Sequence, residues 1–229
     1  MVKIDYAIQT SERTQHRLAL AENWTRHVRK PSTVRIIGDE QAGCGNYLSA
    51  IDKTIFAIDT FQVRYDWLYI IDDDGYVVPR RLELRLCDLD PNEHHAVGCV
   101  SGVLSNNTHK FASIHGGCGY ALSRATALAL QQRHWHGELI RHPRNGDGTV
   151  SINLHHLRVI PTGDDRFTSS IAKEENTGTF IACHRVIPHP EHLIHLPRLN
   201  SAQLNIVEAS VSEPNKIEWF RKNVVKSLV

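Results

Sequence analysis

The 229-residue sequence predicts an α/β protein: a twisted, mostly parallel central sheet flanked by helices. Two observations predict it. Through the first half, short Ile- and Val-rich runs alternate with segments whose apolar residues recur every three or four positions, the order that builds parallel sheets with helices on both faces. In addition, the apolar run Trp67 to Ile71 passes directly into three consecutive carboxylates, Asp72, Asp73 and Asp74, followed by Gly75 and the apolar Val77 and Val78. Three adjacent carboxylates at the tip of a buried strand repel one another and need positive charge there. A cluster of oxygen ligands suits a hard divalent cation. In α/β sheets such a strand end is where nucleotide phosphates commonly bind.

The elements follow in order. Lys3 to Ile8 alternates and reads as a first strand. Ser11 is an N-cap for a helix to about Val28, with Leu18, Ala21 and Trp24 inward, and Pro31 and Ser32 break it. Val34 to Ile37 is a second strand, closed by Gly38, Asp39 and Glu40, with a Gly-rich turn at Gly43 and Gly45. From Tyr47 to about Val63, Ile51, Ile55, Ile58 and Phe61 keep helical spacing. After the acidic strand, Pro79 starts a helix carrying Leu82, Leu84 and Leu86. Ala96 to Val103 reads as one strand. The loop His115 to Tyr120 precedes a helix from about Ser123 to Gln132. Asp147 or Thr149 opens another to about Leu157, and Val159 and Ile160 are extended. Phe180 to Ile187 is a late strand, and a last helix runs from about Glu213 to Ser227.

Composition sets the bounds. With 41% hydrophobic and 22% charged residues the chain is an ordinary globular one, and a net charge of +1 implies no pull toward nucleic acid or anionic membrane. No apolar run reaches membrane-span length, and the N-terminus reads as a strand rather than a leader. The five cysteines (Cys44, Cys87, Cys99, Cys118 and Cys183) are odd in number and widely spaced, which fits a reduced, cytoplasmic setting better than a disulfide scaffold or a zinc site. Sequons at Asn23 and Asn106 matter only in a secreted chain. Fifteen histidines make the charge rise as pH falls toward 6.

Four features carry chemistry. The acidic triplet reads as a Mg²⁺ or Mn²⁺ site, or as a solvated Asp-Gly turn. In HGGCGY, Gly116, Gly117 and Gly119 let backbone approach a ligand, or form a plain turn. Asp147, between Gly146 and Gly148, is a general base at a helix N-terminus, an N-cap, or both. His184 is a metal ligand or a packed histidine of a late strand; His189, His192 and His195 read as structural or surface residues.

In this order the motifs resemble the fringe-like β1,3-glycosyltransferase family, including its core-1 galactosyltransferase branch, over roughly residues 3 to 196. RTQHRLALAENWTRHVRKPSTVRIIGDE is similar to the family's early helix, its Trp and its second strand. DWLYIIDDDGYVV is similar to its metal motif, GGCGYALSRATAL to its Gly-Gly-x-Gly-Tyr loop, DGTVSINLHHLRV to its catalytic Asp and helix, and CHRVIP to its late metal-binding His. The resemblance implies a nucleotide-sugar-binding fold of the GT-A type, in one domain over residues 1–229. About 1–100 form its nucleotide- and metal-binding half, about 101–196 its acceptor and catalytic half, and 197–229 a tail and helix.

It implies an inverting transfer from a UDP-sugar donor to a glycan or glycosylated acceptor, with Asp147 as base. Mn²⁺ (or Mg²⁺) is held mainly by Asp74, with Asp72 and Asp73 assisting and His184 completing the set. Thr10, Asp39 and Lys53 stand by the nucleotide, and Gly116 and Gly117 against the sugars. The chain departs from the family at Gly146, where an acidic residue is usual, at Ser151 for a usual Gly, and at Cys118 for a usual Ala. It shows neither the anchor nor the disulfides of eukaryotic members. Two other readings stay open: a non-catalytic nucleotide-sugar-binding protein, and a haloacid-dehalogenase-type phosphatase, for which GDDRF at Gly163 to Phe167 offers part of the required acidic motif.

Overall fold

The computed structural model describes residues 2–43, 49–105, 110–143, 145–168 and 180–184. The chain begins with β1 (Ile4–Gln9), a 3-10 helix (Glu12–Arg17) and α1 (Leu18–Thr25). It continues through β2 (Thr33–Ile37), α2 (Asp39–Ala42) and α3 (Ser49–Asp59) to β3 (Trp67–Asp72) and β4 (Tyr76–Val77). Then follow α4 (Pro79–Leu86), β5 (Ala96–Gly98), β6 (Val100–Ser105), β7 (Lys110–Ile114), β8 (Tyr120–Ser123), α5 (Arg124–Trp135) and α6 (Gly146–His156). The last elements are β9 (Thr162–Gly163), β10 (Phe167–Thr168) and β11 (Ala182–Cys183).

The central sheet has six strands in the order β2-β1-β3-β8-β5-β9. Its strands are parallel except β8, which runs antiparallel to both β3 and β5. The expected mostly parallel sheet is therefore present. Strand alternation divides its side chains into two layers. Ile4, Tyr6 and Ile8 of β1 with Trp67, Tyr69 and Ile71 of β3 pack beneath Ala21 and Trp24 of α1 and Leu82 and Leu86 of α4. On the other face, Ala7, Leu68, Ile70 and Leu122 meet Ala57 and Ile58 of α3, Leu130 of α5 and Leu154 of α6. Each fully buried Ile or Leu among them contributes about 1.5–3 kcal/mol relative to exposure.

Several boundaries differ from the sequence reading, for tertiary reasons. The first helix opens as a 3-10 turn and ends at Thr25. Leu84 lies half exposed, because a residue two positions from Leu82 and Leu86 points to another side of the helix. Residues 96–103 are not one strand. The chain leaves the central sheet at Cys99, and β6 pairs instead with β7 in an antiparallel hairpin. The helix after HGGCGY does not follow the loop directly, since β8 intervenes, hydrogen-bonded on both edges. Val159 and Ile160 fall outside any strand, with Ile160 84% exposed. Gly45, the start of the third helix at Tyr47, the end of the late strand at Ile187, the three further histidines and the last helix lie outside the described residues. Among the described residues no helix is long and apolar enough to cross a membrane.

Candidate active site

The site forms where β3 ends. The Gly75 amide donates to the Asp72 carbonyl at 3.0 Å, closing a tight turn through the triplet. Gly75 is required there: a Cβ would lie 2.6 Å from the Gly117 carbonyl oxygen and from the Ile71 side chain. Beyond the turn, β4 pairs antiparallel with β11, Tyr76 opposite Cys183. That pairing brings His184, the next residue, back onto the triplet. His184 Nε2 stands 3.3 Å from Asp74 Oδ1. One ligand atom each from Asp72, Asp74 and His184 lie within 4.8 Å of one another. Two carboxylates and an imidazole make a donor set that could hold a divalent metal ion.

The electrostatics agree with a cation-seeking site. Burial first, and then the Asp74 carboxylate, push the Asp72 carboxyl up to about 7. Burial acts on Asp74 as well, but its hydrogen bond with His184 and the charges of His184 and Arg17 outweigh it and hold the group below the ordinary carboxylate value. Asp73 stands apart from the other two. Its Oδ2 accepts from Thr10 Oγ1 at 2.8 Å and Thr14 Oγ1 at 2.5 Å, and Arg17 lies 3.5 Å from its Oδ1. Burial nevertheless raises its pKa. The triplet therefore splits by strand alternation and turn geometry into a pair grouped with His184 and one carboxylate bonded to Thr10 and Thr14, with Arg17 beside both Asp73 and Asp74. Thr14 and Arg17 escaped the sequence reading. The signal that could have found them is the requirement that a buried carboxylate be paired.

Gly116 and Gly117 join this group to Asp147. The Gly116 amide donates to Asp147 Oδ2 at 3.0 Å. One residue on, a Cβ at Gly117 would lie 2.3 Å from His184 Cδ2 and Nε2. The closeness these glycines permit is used by the protein's own side chains, Asp147 against Gly116 and His184 against Gly117. Gly119, at φ +76°, is pressed against the Tyr69 ring, whose hydroxyl donates to the Cys118 carbonyl at 2.8 Å. Cys118, at the position of the family's usual Ala, is fully buried.

Asp147 is the second residue of α6 and does not cap it. The cap is Asn145, whose side chain accepts from the Gly148 amide at 3.0 Å. Asp147 Oδ1 accepts from the same amide at 3.0 Å, so both of its oxygens are oriented by backbone N–H groups. The departures beside it have structural causes. A Cβ at Gly146 would fall 2.1 Å from Thr54 Oγ1 and 2.8 Å from the Ala50 carbonyl oxygen, so α6 rests directly on α3. The Ser151 hydroxyl donates to the Asp147 carbonyl at 2.7 Å and accepts from the Ile114 amide at 3.1 Å, fastening α6 to β7.

Lys53 and Asp39 lie along the same sheet end. Lys53, 4% exposed, pairs with Asp39 Oδ1 at 2.6 Å. That bond foremost, with the Glu12 amide on Oδ2, keeps Asp39 below the ordinary carboxylate value. Thr10, Gln15, Leu18, Ile36 and Asp39 line a cavity of ≈ 400 Å³ at the carboxyl ends of β1 and β2. All of the nucleotide-, metal- and base-assigned residues therefore stand at one end of the sheet. Of the two acidic residues in the GDDRF segment, Asp164 is engaged by Arg85 at 2.7 Å and by Arg166 at 2.7 Å.

Known proteins bear out this architecture. The fold is similar to that of the apo-form glycosyltransferase GlyE of Streptococcus pneumoniae TIGR4, with a TM-score of 0.51 and 12% identity, over 98% of this chain and 64% of that one. It is also similar to a glycosyltransferase involved in the glycosylation of the major capsid of PBCV-1, with a TM-score of 0.50 and 11% identity, over 90% of this chain and 98% of that one. This chain thus spans less than two thirds of the pneumococcal structure. No curated protein matches the sequence. These likenesses show a GT-A-type fold. Residues 10–175, most of the chain, match the family described as Fringe-like, from the threonine that follows β1 to beyond β10. The chain belongs to the Fringe-like family.

Proposed function

We propose that this chain is an inverting, divalent-metal-dependent glycosyltransferase that moves a sugar from a UDP-sugar to a hydroxyl of a glycan or glycosylated acceptor, forming a β1,3 linkage. The observation that carries the reading is the adjacent pair Gly116 and Gly117, the first against Asp147 and the second against His184, which stands beside Asp72 and Asp74. A group suited to take a proton and a group suited to hold a cation are thereby presented to the same space. The linkage and the donor nucleotide rest on the resemblance to fringe-like enzymes.

Asp72, Asp74 and His184 would hold Mn²⁺ or Mg²⁺, which supplies positive charge against the diphosphate as it departs. The chain's own residues do the rest. Asp147, oriented through the amides of Gly116 and Gly148, takes the proton from the acceptor hydroxyl. The acceptor oxygen attacks the anomeric carbon from the face opposite the leaving nucleotide, and configuration inverts. A general base in this position contributes roughly 10²–10⁴ in rate. Thr10 and Asp39 border the cavity proposed for the nucleoside, and Lys53 reaches it through its ion pair with Asp39. Asp73 keeps the acidic turn tied to Thr10 and Thr14.

The test is a panel of UDP-sugars with Mn²⁺, with and without chelator, on the wild-type chain and Asp147→Asn. The expected result is slow UDP release that chelation abolishes, and that Asp147→Asn lowers by about 10²-fold or more while UDP affinity is retained. Release of inorganic phosphate from simple phosphate esters would support the phosphatase reading instead. Tight UDP binding without any release or transfer would make the chain a binding protein.

A further inference from the structure

Arg17 has no part in the chemistry above, yet it contacts the acidic turn while its near neighbours in sequence line the cavity. It ends the 3-10 helix after β1. On one side its NH1 lies 3.5 Å from Asp73 Oδ1 and 3.4 Å from Asp74 Oδ2. On the other, Gln15 and Leu18 line the ≈ 400 Å³ cavity at the ends of β1 and β2. A molecule with its nucleoside in that cavity and its sugar beside Asp147 would carry its diphosphate past Arg17.

The present contacts of Arg17 are incomplete. Charge-assisted N–H···O bonds close to about 2.7–2.9 Å, and these two are longer. Both use NH1, and the Nε–H is buried with no acceptor. Meanwhile Asp74 is shared: Oδ1 faces His184 and Oδ2 faces Arg17. A divalent cation taking Asp74 would compete with the guanidinium for that carboxylate and repel it. The side chain is 29% exposed, and its methylenes give it rotamers in which the guanidinium faces elsewhere. A guanidinium fork matches phosphate oxygens in paired geometry, whereas its contact with these carboxylates does not.

We infer that Arg17 is a diphosphate-binding residue of the donor site. It neutralises Asp73 and Asp74 in the ligand-free chain, and turns its Nε edge to the nucleoside diphosphate when a divalent cation takes Asp74. The inference rests on the glycosyltransferase reading, and the experiment separates the two. Affinities of wild type, Arg17→Gln and Arg17→Lys are measured by calorimetry for UDP and for UMP in saturating Mn²⁺, and for Mn²⁺ alone by electron paramagnetic resonance.

Arg17→Gln is expected to weaken UDP binding about tenfold or more, as loss of a hydrogen-bonded charge does, and to weaken UMP binding less. It is also expected to leave Mn²⁺ affinity in the absence of nucleotide equal or tighter, because a competing cation is gone. Arg17→Lys should recover part of the UDP affinity. A purely structural role would lower UDP and Mn²⁺ affinity together, and that result overturns the inference, as does UDP affinity in Arg17→Gln equal to wild type. A wild-type chain that binds no UDP in Mn²⁺ overturns the glycosyltransferase reading and this inference with it.

Discussion

Substituting Gly117 by Ala tests the site at its tightest point. The added Cβ would lie 2.3 Å from His184 Cδ2 and Nε2, where ordinary contact is 3.4–4 Å. Gly117 is not among the positive-φ residues, so alanine fits its backbone and the imidazole must give way by about 1 Å or more. His184 Nε2 is 3.3 Å from Asp74 Oδ1, so that shift breaks the contact. Ligand atoms tolerate only about ±0.2 Å around their metal distances, so the same shift removes His184 from any ion held by Asp72 and Asp74. The expected loss is about 10- to 100-fold in Mn²⁺ affinity. The fold should persist, since the clash is with the His184 ring (its Cγ, at 2.4 Å, included) and not with backbone. Mn²⁺ titration and thermal melts of Gly117→Ala, His184→Ala and the double variant check this. The double variant should bind Mn²⁺ no worse than His184→Ala alone, because both changes remove the same ligand. Additive losses, or wild-type affinity in Gly117→Ala, would refute the reasoning.

Two further outcomes follow from the packing around the site. Gly146→Ala inserts a Cβ between α6 and α3 against Thr54 Oγ1, itself held by the Ala50 carbonyl and by Gln9, and against that backbone carbonyl. The overpacking should cost about 1–3 kcal/mol, read as a Tm lower by about 2–4 °C per kcal/mol for a chain of this size, and an unchanged Tm would deny the close helix contact. Asp164, gripped by Arg166 and Arg85, has its pKa drawn down to about 2, from 3.8. A depressed carboxyl stabilises the fold in full above the unfolded value and loses that contribution as pH falls toward 2. The urea-stability difference between wild type and Asp164→Asn, on the order of 1 kcal/mol after solvent screening, should therefore shrink from pH 6 to pH 3; a constant difference would refute the assignment.

What could be read directly from residues was local. The apolar run ending in three carboxylates is β3 and its tip, because a central strand covered on both faces has no polar positions to disguise it. The 3.6-residue period of Ile51, Ile55 and Ile58 is the buried face of α3. What stayed hidden depends on partners distant in sequence. β8 is four residues whose strand state comes from pairing with β3 and β5, and its own sequence merges into the helix that follows. The break at Cys99 arises because the chain changes sheets, which no periodicity announces. Of the site residues, Asp72, Asp74 and His184 were legible as a set through the resemblance, and the structure gathers them. The tie of Asp73 to Thr10, Thr14 and Arg17 was not legible, because balancing a buried charge is a property of the folded neighbourhood.

The two-residue pairing of β4 with β11 also sets an order of events. On the ribosome the acidic tip emerges more than a hundred positions before the histidine that stands beside Asp74. Until that late segment docks, the carboxylates have no imidazole neighbour, and the counter-charge already synthesised is the arginine that closes the first helical turn. An ion held by Asp72, Asp74 and His184 would then clasp β3 to a segment made much later in synthesis.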